Sequence, residues 1–438
     1  MKYLPHTPSD LEEMLRVIGV QSLDELYAEV PEELKLKREL NIPAAMSEIE
    51  VRRELHALAG RNRQLCVFAG AGAYDHYTPA VIPYIASRSE FSTSYTPYQA
   101  EISQGTLQYI FEYQTMMARL TGMDVSNASM YDGSTATAEA MMMCVAAAKK
   151  RNRVIISETC LPAILDVVRT YAKFHGVELV ELPAAEGRTD RAALDRLLEA
   201  DDVAGVIVAQ PNRFGVVEDF TGLADNCHSH KALLAINTVA SALGVLKSPG
   251  EWGADIACGD AQSLGIPLSY GGPYIGYLCT TNALIRKMPG RLVGQTTDAD
   301  GNRCFVLTMQ AREQHIRREK ATSNICSNQS LMALYATIYL ALMGKKGLVE
   351  VNRLSANGAL YLYRRLVESG KFTPAFDKPF LKEFTLATSL DIDKVNKKLA
   401  DHGIMGGINL GNGLVAFAVT EKRTKEEIDR LVNLMMED

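Results

Sequence analysis

Nothing in this 438-residue chain is apolar for long enough to cross a membrane. The longest candidate, Met332–Met343, contains two Tyr and a Thr and is shorter than the roughly 20 residues that a membrane helix needs, so we predict a buried helix there. The first residues, Met-Lys-Tyr-Leu-Pro-His, lack the charged-then-apolar pattern of a signal peptide. We therefore expect a cytoplasmic protein.

The charge balance is also unremarkable. The chain has 46 Lys and Arg against 52 Asp and Glu, a formal net charge of −6. A mild negative charge gives no electrostatic reason to bind nucleic acid or an anionic membrane. The hydrophobic fraction of 47% is typical of a globular enzyme and excludes a disordered chain.

Paired metal ligands are missing as well. The eight Cys are scattered, with no Cys-x-x-Cys pair, which favours reduced and mostly buried thiols over a disulfide framework or a zinc site. The cluster Cys227-His228-Ser229-His230 is the one metal candidate. Histidines two apart on a helix point to different sides, and no second ligand cluster is visible, so we predict a structural role and no metal.

The residues that are present predict three regions. Residues 1–60 form a charged helical arm, in which Ser9 to Glu12 and Ser22 to Glu25 have capping-box spacing. Residues 61–330 form a large α/β domain, which begins with a loop rich in Gly, Tyr and Pro from Ala69 to Pro97. Residues 331–438 form a small α+β domain.

Short apolar strands alternate with helices in the large domain, which predicts a mainly parallel sheet covered on both faces. The predicted strands are Val154–Ser157, Val177–Leu182, Val203–Gln210, Leu233–Asn237 and Asp255–Gly259, and the predicted helices are Gly105–Leu120, Ser134–Lys150 and Ala163–His175. In the small domain we predict helices at 347–369, Asp391–His402 and Thr424–Met436 and strands at Glu383–Thr388 and Gly413–Val419.

A phosphate-binding turn is one interpretation of Asp132-Gly133-Ser134-Thr135. Small residues at a helix start leave the first N–H groups unobstructed, and Ser and Thr add hydroxyl donors. An ordinary helix cap is equally compatible with these residues. A P-loop and a complete Gly-x-Gly-x-x-Gly are absent, so simple nucleotide binding is not favoured.

The most informative absence is a lysine. In pyridoxal-phosphate enzymes of the aspartate-aminotransferase fold, the segment around Gly259–Gly265 carries the lysine that forms the Schiff base. No lysine occurs between Lys247 and Lys287, and Gln262 cannot replace one because an amide does not form an imine. The Asp expected beneath the pyridine nitrogen corresponds to Asn237, which has no charge. We predict the fold without a working cofactor site.

The chain resembles the N-terminal half, or separate first subunit, of the glycine cleavage system P-protein, a pyridoxal-phosphate glycine decarboxylase. Most of the chain takes part in the resemblance. The segments that carry it are Ser94–Gly105, Asp132–Ala140, Gly259–Gly265, Pro289–Gly294, Gln310–Arg318 and Ser323–Cys326.

This resemblance implies fold type I of the pyridoxal-phosphate-dependent transferases. It also implies a lysine-bearing second subunit that binds the cofactor, with an α2β2 heterotetramer expected. Together the two subunits would decarboxylate glycine and transfer the aminomethyl group to the oxidised lipoyl group of H-protein. This chain would have no catalytic residue of its own, and Gly133, Ser134 and Thr135 would be a vestigial phosphate turn.

Enzymes of this fold place loops from both chains around each active site. We therefore expect this chain to contribute Ser94, Tyr95, Thr96, Tyr98, Gln99, Gly271 and Gly272 to the partner's site. The alternatives are that the tyrosines only pack in the interface and that Gly271-Gly272-Pro273 is only a tight turn. The charged segment Arg312–Lys320 is either a solvated helix face or the source of one Arg that orders the active-site mouth.

Two other functions are compatible with these residues. The chain could be a catalytically inactive homologue that serves as a structural or regulatory scaffold. It could also be an independent homodimeric enzyme with an unrecognised nucleophile.

Overall fold

A computed structural model describes residues 5–321 and 323–437. The first four residues of the N-terminal segment discussed above lie outside this range. Residues up to Arg63 and residues from Gln64 onward form two compact units. The boundary is three residues beyond the predicted end of the arm, and the predicted division at 330 stays a prediction.

The helices and strands are numbered separately, each in chain order. The α-helices are α1 (Pro8–Ile18), α2 (Glu48–Ala59), α3 (Val81–Ala86), α4 (Ser89–Ser92), α5 (Gln104–Thr121), α6 (Gly133–Ala147), α7 (Pro162–His175), α8 (Arg191–Leu198), α9 (Leu223–Ser229), α10 (Gln314–Arg317), α11 (Ser330–Glu368), α12 (Ile392–Asp401) and α13 (Lys425–Met436). The strands are β1 (Cys66–Val67), β2 (Val125–Ser126), β3 (Arg153–Ser157), β4 (Glu178–Leu182), β5 (Ala184–Ala185), β6 (Arg188–Thr189), β7 (Val203–Gln210), β8 (Leu233–Thr238), β9 (Ile256–Asp260), β10 (Gly276–Thr280), β11 (Leu292–Thr297), β12 (Arg303–Thr308), β13 (Phe372–Pro374), β14 (Glu383–Thr388), β15 (Ile404–Met405), β16 (Ile408–Gly411) and β17 (Leu414–Ala418).

The N-terminal unit is helical, as predicted, but one predicted cap is wrong. Thr7, not Ser9, caps α1, because its hydroxyl accepts from the N–H of Asp10 while the Asp10 carboxylate accepts from the Thr7 N–H. Ser22 caps a short 3₁₀ helix, Leu23–Tyr27. No residue of α1 or α2 is buried.

A seven-stranded sheet organises the large domain, with the order β2-β10-β9-β8-β7-β3-β4. The prediction of a mainly parallel sheet is confirmed, with β10 as the one antiparallel strand. Every residue of β7 is buried. Alternate residues of β3 enter different cores, since Val154 and Ile156 lie in one cluster and Ile155 in another. Helices therefore cover both faces, as the apolar strands predict.

Some local predictions are wrong. The predicted loop from Ala69 to Pro97 contains α3 and α4, and the β11–β12 hairpin was not predicted. By contrast, the two helices predicted at Met332–Met343 and 347–369 are confirmed as the two halves of α11, which is interrupted at Gly344 (φ 56°, ψ −171°). Only glycine adopts that backbone conformation without steric cost.

The C-terminal part contains a four-stranded antiparallel sheet in the order β13-β14-β17-β16. Residues from the second half of α11, α12 and α13 pack on it around Phe384 and Phe417. This is the predicted α+β arrangement. Along the chain, β14 follows directly after Lys382, which has a place in the site described next.

The described residues contain no helix long and apolar enough to span a bilayer. Cys227 is buried, while His228 contacts Asp255 (Nε2 to Oδ2, 2.8 Å) and His230 contacts Asp201 (Nδ1 to Oδ1, 2.7 Å). The two histidines thus have separate carboxylate partners.

Candidate functional site

A cavity of about 300 Å³ lies at the carboxyl ends of β8 and β9, beside the start of α6. This edge of a parallel sheet is where α/β proteins bind ligands. Asn237, Gly133 and Ser134 of the predicted site line the cavity, together with Gly271 and Asp260. Several residues that the sequence predicted for a cofactor cleft thus lie around one cavity.

Carboxylates occupy the start of α6. Asp132 caps the helix, with Oδ1 2.8 Å from the N–H of Thr135, and Asp260 Oδ2 accepts from the N–H of Gly133 at 3.2 Å. Loss of solvation raises the pKa of Asp260 to about 7, against the effect of hydrogen bonds from the N–H groups of Gln262 and Gly133. Two of the N–H groups that a phosphate would need, those of Gly133 and Thr135, thus already have internal acceptors.

Close packing explains Gly133. A Cβ at this position would lie 2.8 Å from the N of Asp260 and 2.9 Å from its Cβ. Glycine thus allows the first turn of α6 to contact the end of β9. Of the two interpretations of Asp132–Thr135, a phosphate-binding turn and an ordinary helix cap, the structure shows the geometry of the helix cap.

Gln262 is buried, with 1% exposure, and its amide is fully used. Its Oε1 accepts from the N–H of Tyr74 at 2.9 Å, while Nε2 donates to the carbonyls of Tyr74 at 3.0 Å and Ile266 at 2.7 Å. Gln262 therefore joins the loop around Tyr74 to the turn after β9. It does not line the cavity.

The loop around Tyr74 is also held by buried charges that the sequence did not reveal. Tyr74 donates its hydroxyl to Glu383 at 2.8 Å, and Lys382 Nζ lies 2.7 Å from His76 Nε2 and 4.0 Å from the Tyr74 ring centroid. Burial lowers the pKa of Lys382 to about 7, against the attraction of Glu421 and Glu383. These residues are far apart in sequence, so no local pattern could have found them.

Pyridoxal phosphate does not fit this cleft. Asn237 donates its amide to the Thr137 hydroxyl at 2.8 Å and has no charge to keep a pyridine nitrogen protonated. The described lining contains two carboxylates, Asp132 and Asp260, and no Lys, Arg or His. A phosphate dianion beside them would be repelled.

The predicted interface loop lies mostly at the surface. Tyr95 is 82% exposed and Tyr98 50%, and Gln99 is also exposed. Ser94 contacts Thr106 of α5 (Oγ to Oγ1, 2.8 Å), and Thr96, half-buried, accepts from the N–H of Tyr98.

Near the cavity, Gly271 and Gly272 have φ values of 108° and 133°. The N–H of Gly271 donates to the Leu268 carbonyl at 3.0 Å, so this segment has turn geometry. The N–H of Gly272 likewise donates to the Ser269 carbonyl at 3.3 Å, so both N–H groups of the pair are already used within the chain. Only Gly271 of the pair is among the cavity residues.

Two buried arginines lie beneath Tyr98. Arg291 is 3% exposed and Arg312 9%, whereas Arg317 and Arg318 are exposed. Arg291 Nη2 donates to the Tyr98 hydroxyl at 3.2 Å, and Arg312 donates to the carbonyls of Met288 and Gly290. Within the segment Arg312–Lys320 the structure thus buries Arg312 and exposes Arg317 and Arg318, and the sequence did not single out Arg291.

A second buried acid lies in α6. Glu139 is 2% exposed and accepts from the Ser323 hydroxyl at 2.6 Å. Burial raises the pKa of Glu139 to about 7, although that hydrogen bond acts to lower it. Glu139 thus connects the helix at the cleft to the segment before α11.

Comparisons with known proteins agree with this architecture. The family model for the glycine cleavage system P-protein matches residues 1–435. A probable glycine dehydrogenase (decarboxylating) subunit 1 from Carboxydothermus hydrogenoformans is 50% identical, covering 99% of each chain. One of the same name from Moorella thermoacetica is 49% identical, also covering 99% of each.

Solved structures give the same picture. A glycine decarboxylase (P-protein) of the glycine cleavage system in inhibitor-bound form is 42% identical, with a TM-score of 0.93, over 100% of this chain and 99% of that one. An alanine–glyoxylate aminotransferase from Nostoc is 16% identical with a TM-score of 0.61, over 92% of this chain and 97% of the other, which shows the fold alone. The predicted fold, pyridoxal-phosphate-dependent transferase fold type I, is confirmed.

Proposed function

The chain belongs to the glycine cleavage system P-protein family, and from this membership we propose that it is the lysine-less first subunit of glycine dehydrogenase (decarboxylating). With a second subunit it decarboxylates glycine and transfers the aminomethyl group to the lipoyl group of H-protein. One observation supports the proposal: the chain aligns over 99% of its length with subunits 1, and the described lining of its cleft contains two carboxylates and no Lys, Arg or His.

We assign pyridoxal phosphate to the partner subunit, where it supplies the electron sink for decarboxylation. The reason is chemical. In this chain Gln262 stands where a Schiff-base lysine is required, and its amide is engaged by backbone groups.

This chain's contribution to the partner's site is the loop Ser94–Gln99. The exposed hydroxyl and amide groups of Tyr95, Tyr98 and Gln99 are available for hydrogen bonds to another molecule. Gly271 and Gly272 are a second candidate contribution through backbone groups.

The N-terminal arm supports the presence of a protein partner. It exposes large apolar side chains, including Val17 at 77%, Leu34 at 73% and Ile42 at 69%. Such surfaces are typical of contacts with another protein. We propose an α2β2 heterotetramer with H-protein as a transient partner, and a cytoplasmic location, which the eight free cysteines support.

Isotope exchange between labelled bicarbonate and the glycine carboxyl group tests the proposal. We expect no exchange with this chain alone and full exchange when it is mixed with the lysine-bearing subunit and H-protein. Full exchange by the lysine-bearing subunit without this chain would instead indicate a scaffold. Exchange by this chain alone would indicate an independent enzyme.

A further inference from the structure

Tyr98 differs from the other exposed residues of its loop because a buried cation holds it. Arg291, at the start of the β11–β12 hairpin, directs Nη2 to the phenolic oxygen at 3.2 Å. The Cζ of the guanidinium lies 5.2 Å from the Tyr98 ring centroid. Both contacts fix the ring relative to the large domain.

Acidic and aromatic neighbours complete this cluster. Glu313, 5% exposed, has Oε2 3.7 Å from Arg291 Nε and 3.5 Å from His315 Nδ1. The ring of His315 meets that of Tyr98 edge-on, with centroids 5.4 Å apart. Two segments that are distant from Tyr98 in sequence, one with Arg291 and one with Glu313 and His315, thus converge on it.

The cluster is incompletely hydrogen-bonded. Nine buried side-chain polar atoms of the described residues have no hydrogen-bond partner, and three of them are Arg291 Nε, Arg312 Nε and Glu313 Oε1. Buried polar atoms are normally paired. Arg291 and Glu313 thus retain unused hydrogen-bonding capacity directly beneath a half-exposed Tyr.

We infer that Arg291 is a positioning residue, which orients Tyr98 to donate its hydroxyl hydrogen to an acceptor outside this chain. The phenolic oxygen accepts from the guanidinium, so its own hydrogen is left to donate. No described residue of the chain takes that hydrogen bond. The inference rests on the proposed function, which directs this loop toward the partner's active site.

The acceptor is a carboxylate, because a charge-assisted hydrogen bond suits a donor backed by a guanidinium. It is either the carboxylate of glycine or an Asp or Glu of the partner subunit. Arg312, Arg317 and Arg318 do not fit this role, since Arg312 is engaged by main-chain carbonyls and Arg317 and Arg318 are exposed.

A double-mutant cycle in the reconstituted enzyme tests the inference. Loss of one charge-assisted hydrogen bond corresponds to about a tenfold change, so we expect Tyr98→Phe and Arg291→Met each to lower kcat/KM for glycine exchange about tenfold. Because both remove the same interaction, the double variant also loses about tenfold, and Arg291→Lys recovers part of the activity. Independent losses that multiply to about a hundredfold, or an Arg291→Met enzyme with normal kinetics, would overturn the inference.

The kinetic constants identify the acceptor. A raised KM for glycine with unchanged affinity between the subunits indicates the substrate carboxylate, whereas weaker subunit association with an unchanged KM indicates a carboxylate of the partner. If Arg291→Met does not fold, the cycle is measured with Arg291→Lys.

Arg151 provides a structural control. It donates to the carbonyls of Val203, His230 and Lys231, away from the loop. Arg151→Met should lower the thermal unfolding midpoint without coupling to Tyr98→Phe. If Tyr95→Phe, Tyr98→Phe and Gln99→Ala all leave exchange normal, the loop's role in the proposed function fails. If the loop variants lower exchange but the effects of Arg291→Met and Tyr98→Phe are additive, this inference fails and the proposed function stands.

Discussion

Gln262 shows how the position of a catalytic side chain can become a structural one. Its amide both donates and accepts, which suits the N–H and carbonyl of Tyr74. A lysine could donate there but could not accept. Gln262 therefore stabilises the fold through these hydrogen bonds, whereas a lysine at this position would serve catalysis.

Gln262→Lys is expected not to create a cofactor site. The new amine would leave the Tyr74 N–H without an acceptor, and Asp132 and Asp260 would still repel the phosphate. We predict a lower thermal unfolding midpoint and no Schiff-base absorption near about 420 nm with added pyridoxal phosphate. Appearance of that band would show that the cleft accepts the cofactor. Gln262→Glu, which keeps the acceptor, is the matched stability control.

Glu139 makes the stability of the folded chain depend on pH. Its pKa is raised from 4.5 to about 7, so the folded state binds more protons than the unfolded state between these values. Its contribution to stability is complete below pH 4.5 and is lost as the pH rises through 7. Over this range the free energy of unfolding changes by about 3 kcal/mol because of Glu139.

Glu139→Gln should therefore be more stable than the natural chain at pH 8 and lose this advantage near pH 4.5. Thermal unfolding midpoints across this range measure the difference. Glu368→Gln, the same substitution at an exposed position, is the matched control. A constant difference at every pH would assign the effect to something other than titration.

At the residue scale, the sequence predicted which residues lie at the cleft better than it predicted contacts between residues that are distant in sequence. Asn237 and Gly133 were placed at the cleft because strand ends and helix starts have local patterns. Arg291 and Glu139 were missed because their importance depends on burial against residues that are distant in sequence, such as Tyr98 and Ser323.

At the scale of elements, the contact between α6 and β9 depends on Gly133. Gly133→Ala would press Cβ against backbone atoms of Asp260, and we expect a loss of about 1–3 kcal/mol in the free energy of unfolding. Gly105 also lies in the first turn of a helix, but a Cβ there meets nothing within 4 Å. Gly105→Ala should be neutral or stabilise by up to about 1 kcal/mol. Equal effects of the two substitutions would contradict the packing argument.

The loop Ser94–Gln99 is the element on which catalysis should depend most. Tyr95→Phe and Gln99→Ala remove an exposed hydroxyl and an exposed amide, so neither should alter the stability of this chain. We expect each to lower glycine exchange about tenfold in the mixed enzyme, the size of one lost hydrogen bond to a charged group. Normal turnover would show that these side chains only pack in the interface.

Regular elements were more predictable than irregular ones. Five of the seven strands of the large sheet have apolar runs, as in β7, and were each located to within one residue. The other two, β2 and β10, were not predicted. The β11–β12 hairpin was missed because Gly294 and Thr296 to Thr297 interrupt any clear alternation. The short helices α3 and α4 lie among Pro, Ser and Tyr, which are typical of loops.

At the scale of the whole molecule, folding of this chain should be independent of pyridoxal phosphate. A ligand that does not bind the native state cannot stabilise it. We predict an unchanged thermal unfolding midpoint when the cofactor is added to this chain alone, and a rise when it is added to the lysine-bearing subunit. A cofactor-dependent rise in this chain alone would contradict the repulsion attributed to Asp132 and Asp260.

The carboxylates at the start of α6 therefore have a consequence for how the chain depends on the cell's supply of pyridoxal phosphate. We predict that a cell short of the vitamin from which the cofactor is made still accumulates this subunit in its native form. The reason is that its folding does not require a cofactor bound in its own cleft. The abundance of the chain follows its synthesis and turnover alone. Under the proposed assignment of pyridoxal phosphate to the partner subunit, the cofactor requirement of the assembled enzyme is then set by the number of partner subunits.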